Sequence, residues 1–459
     1  MKKERTNFAS KAGMIAATVG SAVGLGNVWR FPNEVQSGGG AAFLIVYILC
    51  ILVLGLPVML AEFSLGRGGQ SDVIGVYRKL TPGKKWWLGG AIALLAAYTI
   101  SCYYMVVAGW TLEYLVQSVS GSLYEVAPGG TLKSTLEATL AENVAAVWSP
   151  LLASLLVVGA NIFILLRGVQ KGIEKMSNIL MPVLFLLLLI LCCVTLSLPG
   201  AADGLLFFLR PDFSEVTPAV VMNALGQAFF SLSLGMGILV TYSSYFPKRD
   251  NLVLTGVTVT ACDFLVALLM GFIIFPAVMT FGLGGNEAGL ESTALVFITL
   301  PEVFAQMGGT QVWSTVFFTL LFIAAVTSTI SISEVSILYF QDRHRFSRRK
   351  ATLVVLLPLV VLSPLCSLSN GALADLKIAG LTLFDFLDTY STNFLLPLAA
   401  LVTCIYGGWV LKQQRFVESE LTNGGRINRF SARYTVFMIR WIAPLCLGAI
   451  IVYQLLNML

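Results

Sequence analysis

The stretch that decides the fold is Gly20-Ser21-Ala22-Val23-Gly24-Leu25-Gly26-Asn27, in the middle of an apolar run from about residue 10 to residue 36. A second run, 218–246, carries Ser231-Leu232-Ser233-Leu234-Gly235-Met236-Gly237 near its own middle. Each holds a Gly-x-Gly flanked by small hydroxyl or amide side chains. Glycines in apolar runs often serve close helix packing. Here Gly24 and Gly26 answer to Gly235 and Gly237 five apolar runs later. An odd number of crossings gives the two copies opposite directions, the signature of an inverted repeat. Both helices are therefore expected to break. A broken turn bares N–H groups, which suit a carboxylate, and carbonyls, which suit a hard cation such as Na⁺.

Composition names the solvent. Of the 459 residues, 57% are hydrophobic and 12% charged, against about 25% charged in soluble chains, and the mean hydropathy is +0.84. Nucleic-acid binding, disorder and a disulfide scaffold are excluded. The single histidine, His344, sits in a basic segment and no nucleophile–base pair is apparent, so no enzyme is expected. The eight cysteines form no CxxC and read as small buried hydrophobes.

A bilayer core takes about 20 apolar residues per helix. Eleven runs qualify: 10–36, 41–66, 87–119, 149–167, 173–197, 218–246, 252–283, 310–341, 351–367, 379–411 and 432–457. The reading is an all-α polytopic membrane protein with one transmembrane domain over 1–459. Residues 10–197 and 218–411 form repeats of five helices each, and 432–457 is an extra eleventh. The first run follows Met1-Lys2-Lys3-Glu4-Arg5 but is too long and too glycine-broken for a signal peptide. Of the 29 Lys and Arg residues, 24 fall in segments on the N-terminal side of the bilayer, and three, Lys133, Arg210 and Lys377, fall on the other. Basic loops stay cytoplasmic. The N-terminus is thus expected inside the cell (inner) membrane and the C-terminus outside, with the basic clusters also touching anionic lipid. Of the long outer loops, 120–148 and 284–309, the second reads either as a short helical hairpin over a vestibule or as a plain connector.

Glu62, Asp263, Glu334, Asp385 and Asp388 lie within or near spans, where a charge costs several kcal/mol unless paired. Asp263, in Thr260-Ala261-Cys262-Asp263-Phe264, is either a protonated acid held by hydrogen bonds or the partner of a cation, and the second reading is preferred. The hydroxyls of Thr327-Ser328-Thr329 bond back to their own helix or ligate a cation; spacing leaves both open.

At these residues the sequence resembles the neurotransmitter:sodium symporter family, in its bacterial amino-acid branch. The motifs are GSAVGLGNVWRFP at 20–32, SGGGAAF at 37–43, GLPVMLAEFSLGR at 55–67, GQAFFSLSLGMG at 226–237 and AAVTSTIS at 324–331. The resemblance implies a leucine-transporter-like fold with two sodium sites. The first would use the Ala22 carbonyl, Asn27, Ser231 and Asp263 with the substrate carboxylate. The second would use the carbonyls of Gly20, Val23 and Ala324 and the hydroxyls of Thr327 and Ser328. The substrate carboxylate would meet Leu25, Gly26 and Tyr104, and its ammonium the carbonyls near Ala22 and Phe230, with Ser233 nearby. Ile100, Phe230, Met236, Ser328 and Ile332 would line the side-chain pocket. Arg30, Asp388 and Gln227 match an outer gate, Phe229 and Tyr104 a lid, and Arg5, Asp342, Ser244 and Tyr245 an inner gate.

Departures from the family pattern sharpen the expectation. Chloride-dependent members carry Asn at the Asp263 position and Ser at the Ala267 position; a fixed negative charge makes an anion unnecessary, so chloride independence is expected. Gly24, where monoamine carriers have Asp, leaves room for a carboxylate on the substrate itself. Met236, unbranched and adaptable, replaces a Phe and is expected to admit bulky and aromatic side chains. Phe8 replaces a Trp of the inner gate. Gly172 and Pro182 frame a segment that unwinds in short relatives. The resemblance thus implies sodium-coupled symport of neutral hydrophobic L-amino acids by alternating access. A proton-coupled amino-acid carrier and a non-transporting amino-acid sensor are the alternatives.

Overall fold

A computed structural model describes residues 7–126, 128–282, 292–411, 415–423 and 429–458. Among these residues every regular element is helical. Nine helices among the described residues are long and apolar enough to cross a membrane: Ala41–Gly69, Trp87–Ser120, Trp148–Leu166, Val169–Leu196, Leu252–Thr280, Thr310–His344, Arg348–Leu368, Leu383–Val410 and Arg429–Leu456. They are spans 2 to 5 and 7 to 11. Span 1 is the pair Lys11–Ala22 and Gly26–Ser37, bent by 55° at its break. Span 6 is Pro218–Ser231 followed by Ile238–Ser243. With spans 1 and 6 counted, the described residues hold the eleven spans read from the apolar runs, two of them broken at the paired glycines.

The two breaks differ in length. In span 1 the helix runs through Ala22, and only Val23 and Gly24 leave it before Leu25 and a wide turn at Gly26–Arg30 resume. In span 6 residues 232–237 are all non-helical. Ser233, Gly235 and Gly237 there have φ of 53°, 76° and 72°, values that left-handed backbone allows and an α-helix does not.

Span 8 sits at the centre, with 78% of its apolar window buried inside the protein, and span 11 at the edge, with 28%. Apolar side chains such as Leu156, Leu186 and Leu445 face outward, as lipid-facing positions must. Span 5 opens with a wide turn, Val169–Glu174, and continues as an unbroken helix Lys175–Leu196 through Pro182, so the Gly172–Pro182 segment is wound here. The loop 120–148 contains a helix, Leu132–Ala145, started by a capping box between Thr131 and Ser134. Of the 284–309 loop, 284–291 lies outside the described residues, and the rest is helical over Ser292–Gln306.

Candidate functional site

The two breaks face each other. The Ser233 hydroxyl donates to the Ser21 carbonyl at 2.7 Å, tying the unwound stretch of span 6 to span 1. The Gln227 amide donates to the Gly26 carbonyl at 3.2 Å. Between them lies a small cavity lined by Ser21, Ala22, Gly24, Leu25, Gly26, Asn27, Ile100, Tyr103, Tyr104, Phe230, Ser231, Ser233, Met236, Ser328 and Ile332. Twelve of these are the sequence-stated substrate-site residues. Tyr103 was missed, although it follows Ile100 by three positions and so shares its helix face. At Gly24 a Cβ would sit 3.1 Å from the Ser328 hydroxyl and 3.5 Å from that of Tyr104, so the space beside the Leu25 backbone depends on glycine.

At one end of the cavity three buried polar side chains converge. The Asn27 amide nitrogen donates to Asp263 Oδ1 at 2.9 Å and to Ser231 Oγ at 3.0 Å. Ser231 Oγ donates to Asp263 Oδ2 at 2.7 Å. Asn27 Oδ1 accepts the freed Gly24 N–H at 3.1 Å, which is how the short break in span 1 satisfies its backbone. Asp263 is fully buried, and among the described residues it has no cationic partner. A carboxylate so placed is stable only with a cation or a proton of its own. Glu62 is its counterpart in the second break: one oxygen accepts the Gly235 N–H at 2.8 Å, the other has no partner in the described structure, and the residue is 1% exposed. Glu334, by contrast, is paired with Arg348 at 2.7 Å and accepts from the Tyr245 hydroxyl at 2.8 Å.

The other candidate cation ligands come from spans 1 and 8. Gly20 packs against Thr327; a Cβ on it would lie 3.5 Å from the Thr327 Cβ. The Thr327 hydroxyl donates to the carbonyls of Ile323 and Ala324 at 3.1 and 3.0 Å, and Ser328 donates to Ala324 at 3.1 Å. The hydroxyls do bond back to their helix. A hydroxyl that donates its proton still keeps two lone pairs, so this bonding is compatible with cation ligation.

One gate reading, the Phe229 lid, needs revision. Phe229 does not line the cavity; it packs against Gly235, and Phe230 is the ring that closes the cavity under Arg30, whose guanidinium lies 5.6 Å from the ring centre. The helix continues through Ser231, which turns Phe230 and not Phe229 inward. Arg30 pairs with Glu34, one turn along its own helix, at 3.6 Å, while Asp388 adjoins the Tyr103 hydroxyl and lies within reach of the Arg30 charge; among the described residues the two make no ion pair. A local partner is favoured because no gap has to close. Arg5 lies outside the described residues. At that end of the molecule Phe8 packs on Tyr242, Tyr245 and Phe246, Ser244 Oγ donates to the Thr241 carbonyl at 2.5 Å, and Asp342 accepts the Asp72 N–H at 2.8 Å. The Phe8 side is thus closed by packed aromatics, and the Arg30 side is not sealed by an ion pair.

The description of one protein family, the sodium:neurotransmitter symporter family, matches residues 5–127 and 132–459. The structure superposes on that of MhsT in complex with L-phenylalanine with a TM-score of 0.86 and 36% identity, over 98% of this chain and all of that one. The chain is 34% identical over 446 residues to the uncharacterized sodium-dependent transporter YhdH of Bacillus subtilis, covering 97% of each. It is 35% identical over 415 residues to the uncharacterized sodium-dependent transporter MJ1319 of Methanocaldococcus jannaschii, covering 89% of this chain and 82% of the other. With a fold, a twice-broken core and a sequence match that all span nearly its whole length, this chain belongs to the sodium:neurotransmitter symporter family of multi-pass membrane transporters.

Proposed function

We propose that the protein carries neutral hydrophobic L-amino acids, aromatic ones included, together with two Na⁺ and without chloride. The observation that carries this reading is Asp263: a fully buried carboxylate with only neutral partners, at the end of a cavity between two broken helices. One Na⁺ would bind among the Ala22 carbonyl, Asn27, Ser231 and Asp263. A second would bind among the carbonyls of Gly20, Val23 and Ala324 and the hydroxyls of Thr327 and Ser328. The first ion and the substrate carboxylate then share a contact, so each raises the affinity of the other. The apolar lining from Ile100, Phe230, Met236 and Ile332, and the L-phenylalanine bound to MhsT, support a hydrophobic substrate.

The basic-side rule supports a cytoplasmic N-terminus in the inner membrane. Spans 1, 2, 6 and 7 would rock against spans 3, 4, 8 and 9, with 10–197 and 218–411 as the two repeats. Each positive charge carried inward gains about 2.3 kcal/mol per 100 mV of membrane potential.

The deciding experiment is uptake of radiolabelled L-phenylalanine into vesicles holding the purified protein. Uptake is expected with a sodium gradient and undiminished when gluconate replaces chloride. Uptake driven by a proton gradient in sodium-free buffer would favour the rival reading, a carrier that protonates Asp263 or Glu62. Tight binding with no uptake would mark a sensor.

Met236 sits between Gly235 and Gly237 on the non-helical stretch and reaches the cavity. Met236→Phe fills that space with a rigid ring. It is expected to weaken competition by tryptophan and phenylalanine about tenfold while leaving leucine within a factor of two, since overpacking costs about 1–3 kcal/mol. An unchanged competition profile would make Met236 ordinary packing.

A further inference from the structure

Span 5 holds the start of span 1 through one buried carboxylate. Glu174, the last residue of its opening turn, is 4% exposed and makes no ion pair among the described residues. Its two oxygens accept three hydrogen bonds, all from residues just before the first helix. The Ala9 N–H donates to Oε2 at 2.8 Å, and the Ser10 N–H and Ser10 hydroxyl donate to Oε1 at 3.0 and 2.8 Å. Ser10 Oγ in turn accepts the Gly13 N–H at 2.9 Å, so the carboxylate orients the residue that caps the helix. One turn earlier, Gln170 donates to the Asn7 carbonyl at 2.7 Å. Gly13 makes this approach possible: a Cβ there would lie 2.6 Å from the Glu174 Cδ.

The helix held in this way is Lys11–Ala22, twelve residues long, and it ends at the carbonyls of Gly20 and Val23. Span 5 touches it again at that end, where a Cβ on Gly20 would meet the Met181 sulfur at 3.1 Å. A helix this short moves as a rod. Its far end, with the carbonyls, follows whatever its first turn does. On its other flank Phe8 packs on Tyr242, Tyr245 and Phe246, all on or just past the second half of span 6.

We propose that Glu174 is a positioning residue for the second cation site: by anchoring Ala9 and Ser10 to span 5 it fixes the Gly20 and Val23 carbonyls against Thr327. Release of this latch and loss of the second Na⁺ are then one event. The proposal rests on the reading that this site binds Na⁺.

The test uses the full chain in lipid vesicles and in detergent. Two readouts are followed: the sodium concentration for half-maximal L-phenylalanine uptake, and backbone hydrogen exchange over residues 9–14. Glu174→Ala is expected to raise the half-saturating sodium about tenfold and speed exchange over 9–14 by a similar factor, each matching loss of a hydrogen bond to a charged group. The KM for L-phenylalanine at saturating sodium should stay within a factor of two. Glu174→Gln, which keeps one acceptor oxygen, should fall between. Ser10→Ala removes the hydroxyl's bond to Glu174 and its capping bond to the Gly13 N–H but keeps both backbone N–H bonds to the carboxylate, and it guards against a Glu174 variant that does not fold; a smaller shift in the same direction is expected. Faster exchange with an unchanged sodium requirement would overturn the positioning role, and unchanged exchange would overturn the latch itself. Wild-type protein whose uptake ignores sodium would sink the functional reading instead, and the exchange data would still decide the latch.

Discussion

Replacing Asp263 by asparagine is expected to lower sodium-driven uptake about thirtyfold or more in chloride-free medium, and to make what remains respond to chloride. The substitution keeps size and shape and removes only the charge. Asp263 Oδ1 takes the Asn27 amide and Oδ2 the Ser231 hydroxyl, both neutral groups. The carboxylate is therefore the one negative charge on the protein side of the first cation. Removing one member of a buried hydrogen-bonded charge pair costs about 2–5 kcal/mol, and 2 kcal/mol is about thirtyfold in affinity. A small anion could restore neutrality beside the buried Tyr47 hydroxyl, which lies near Ser231 and within reach of the Asp263 charge. Sodium-gradient uptake by the variant, compared in chloride and in gluconate, checks both parts. Unchanged, chloride-independent uptake would refute the charge argument.

The existence of the two breaks was legible because Gly24 and Gly26 answer to Gly235 and Gly237 five apolar runs later and both pairs are flanked by small hydroxyl or amide side chains; glycines alone would have read as helix packing. Their extents were not. In span 1 the Asn27 side chain supplies the bond that the Gly24 N–H loses, so two residues suffice to bend the helix. In span 6 three positive φ values keep 232–237 out of any helix. Glycine spacing is the same in both stretches; what differs is the side-chain chemistry around it.

The lining of the cavity was also legible, through the family resemblance. The gates were less so. Neighbouring residues on a helix point about 100° apart, so choosing Phe230 over Phe229 required knowing that the helix persists through Ser231. The pairing of Arg30 with Glu34 is an i,i+4 spacing, whereas the family resemblance pointed to Asp388. Glu174 escaped notice because it stands at the edge of an apolar run among Lys171 and Lys175, where a charge looks solvated. Only the fold shows it buried against Ser10.

Thr327→Ala combined with Ser328→Ala is expected to remove sodium stimulation through the second site, about a hundredfold loss if each oxygen is worth about tenfold, near the lower end of what support to a metal site commonly contributes. A hard cation wants about six oxygens, and the proposed site would offer three carbonyls and two hydroxyls. The fold should survive. Both hydroxyls donate only within their own helix, and alanine is the better helix former. The single variants separate the roles, because Ser328 lines the substrate cavity and Thr327 does not. Thr327→Ala should therefore shift only the sodium titration, with L-phenylalanine affinity at saturating sodium preserved. Ser328→Ala should shift both. In the double variant the sodium dependence of L-phenylalanine binding should also lose its sigmoid shape, since one ion would then act alone. A double variant that keeps both its stimulation and its sigmoid curve would take the second ion away from span 8, and with it the link between that ion and the first half of span 1.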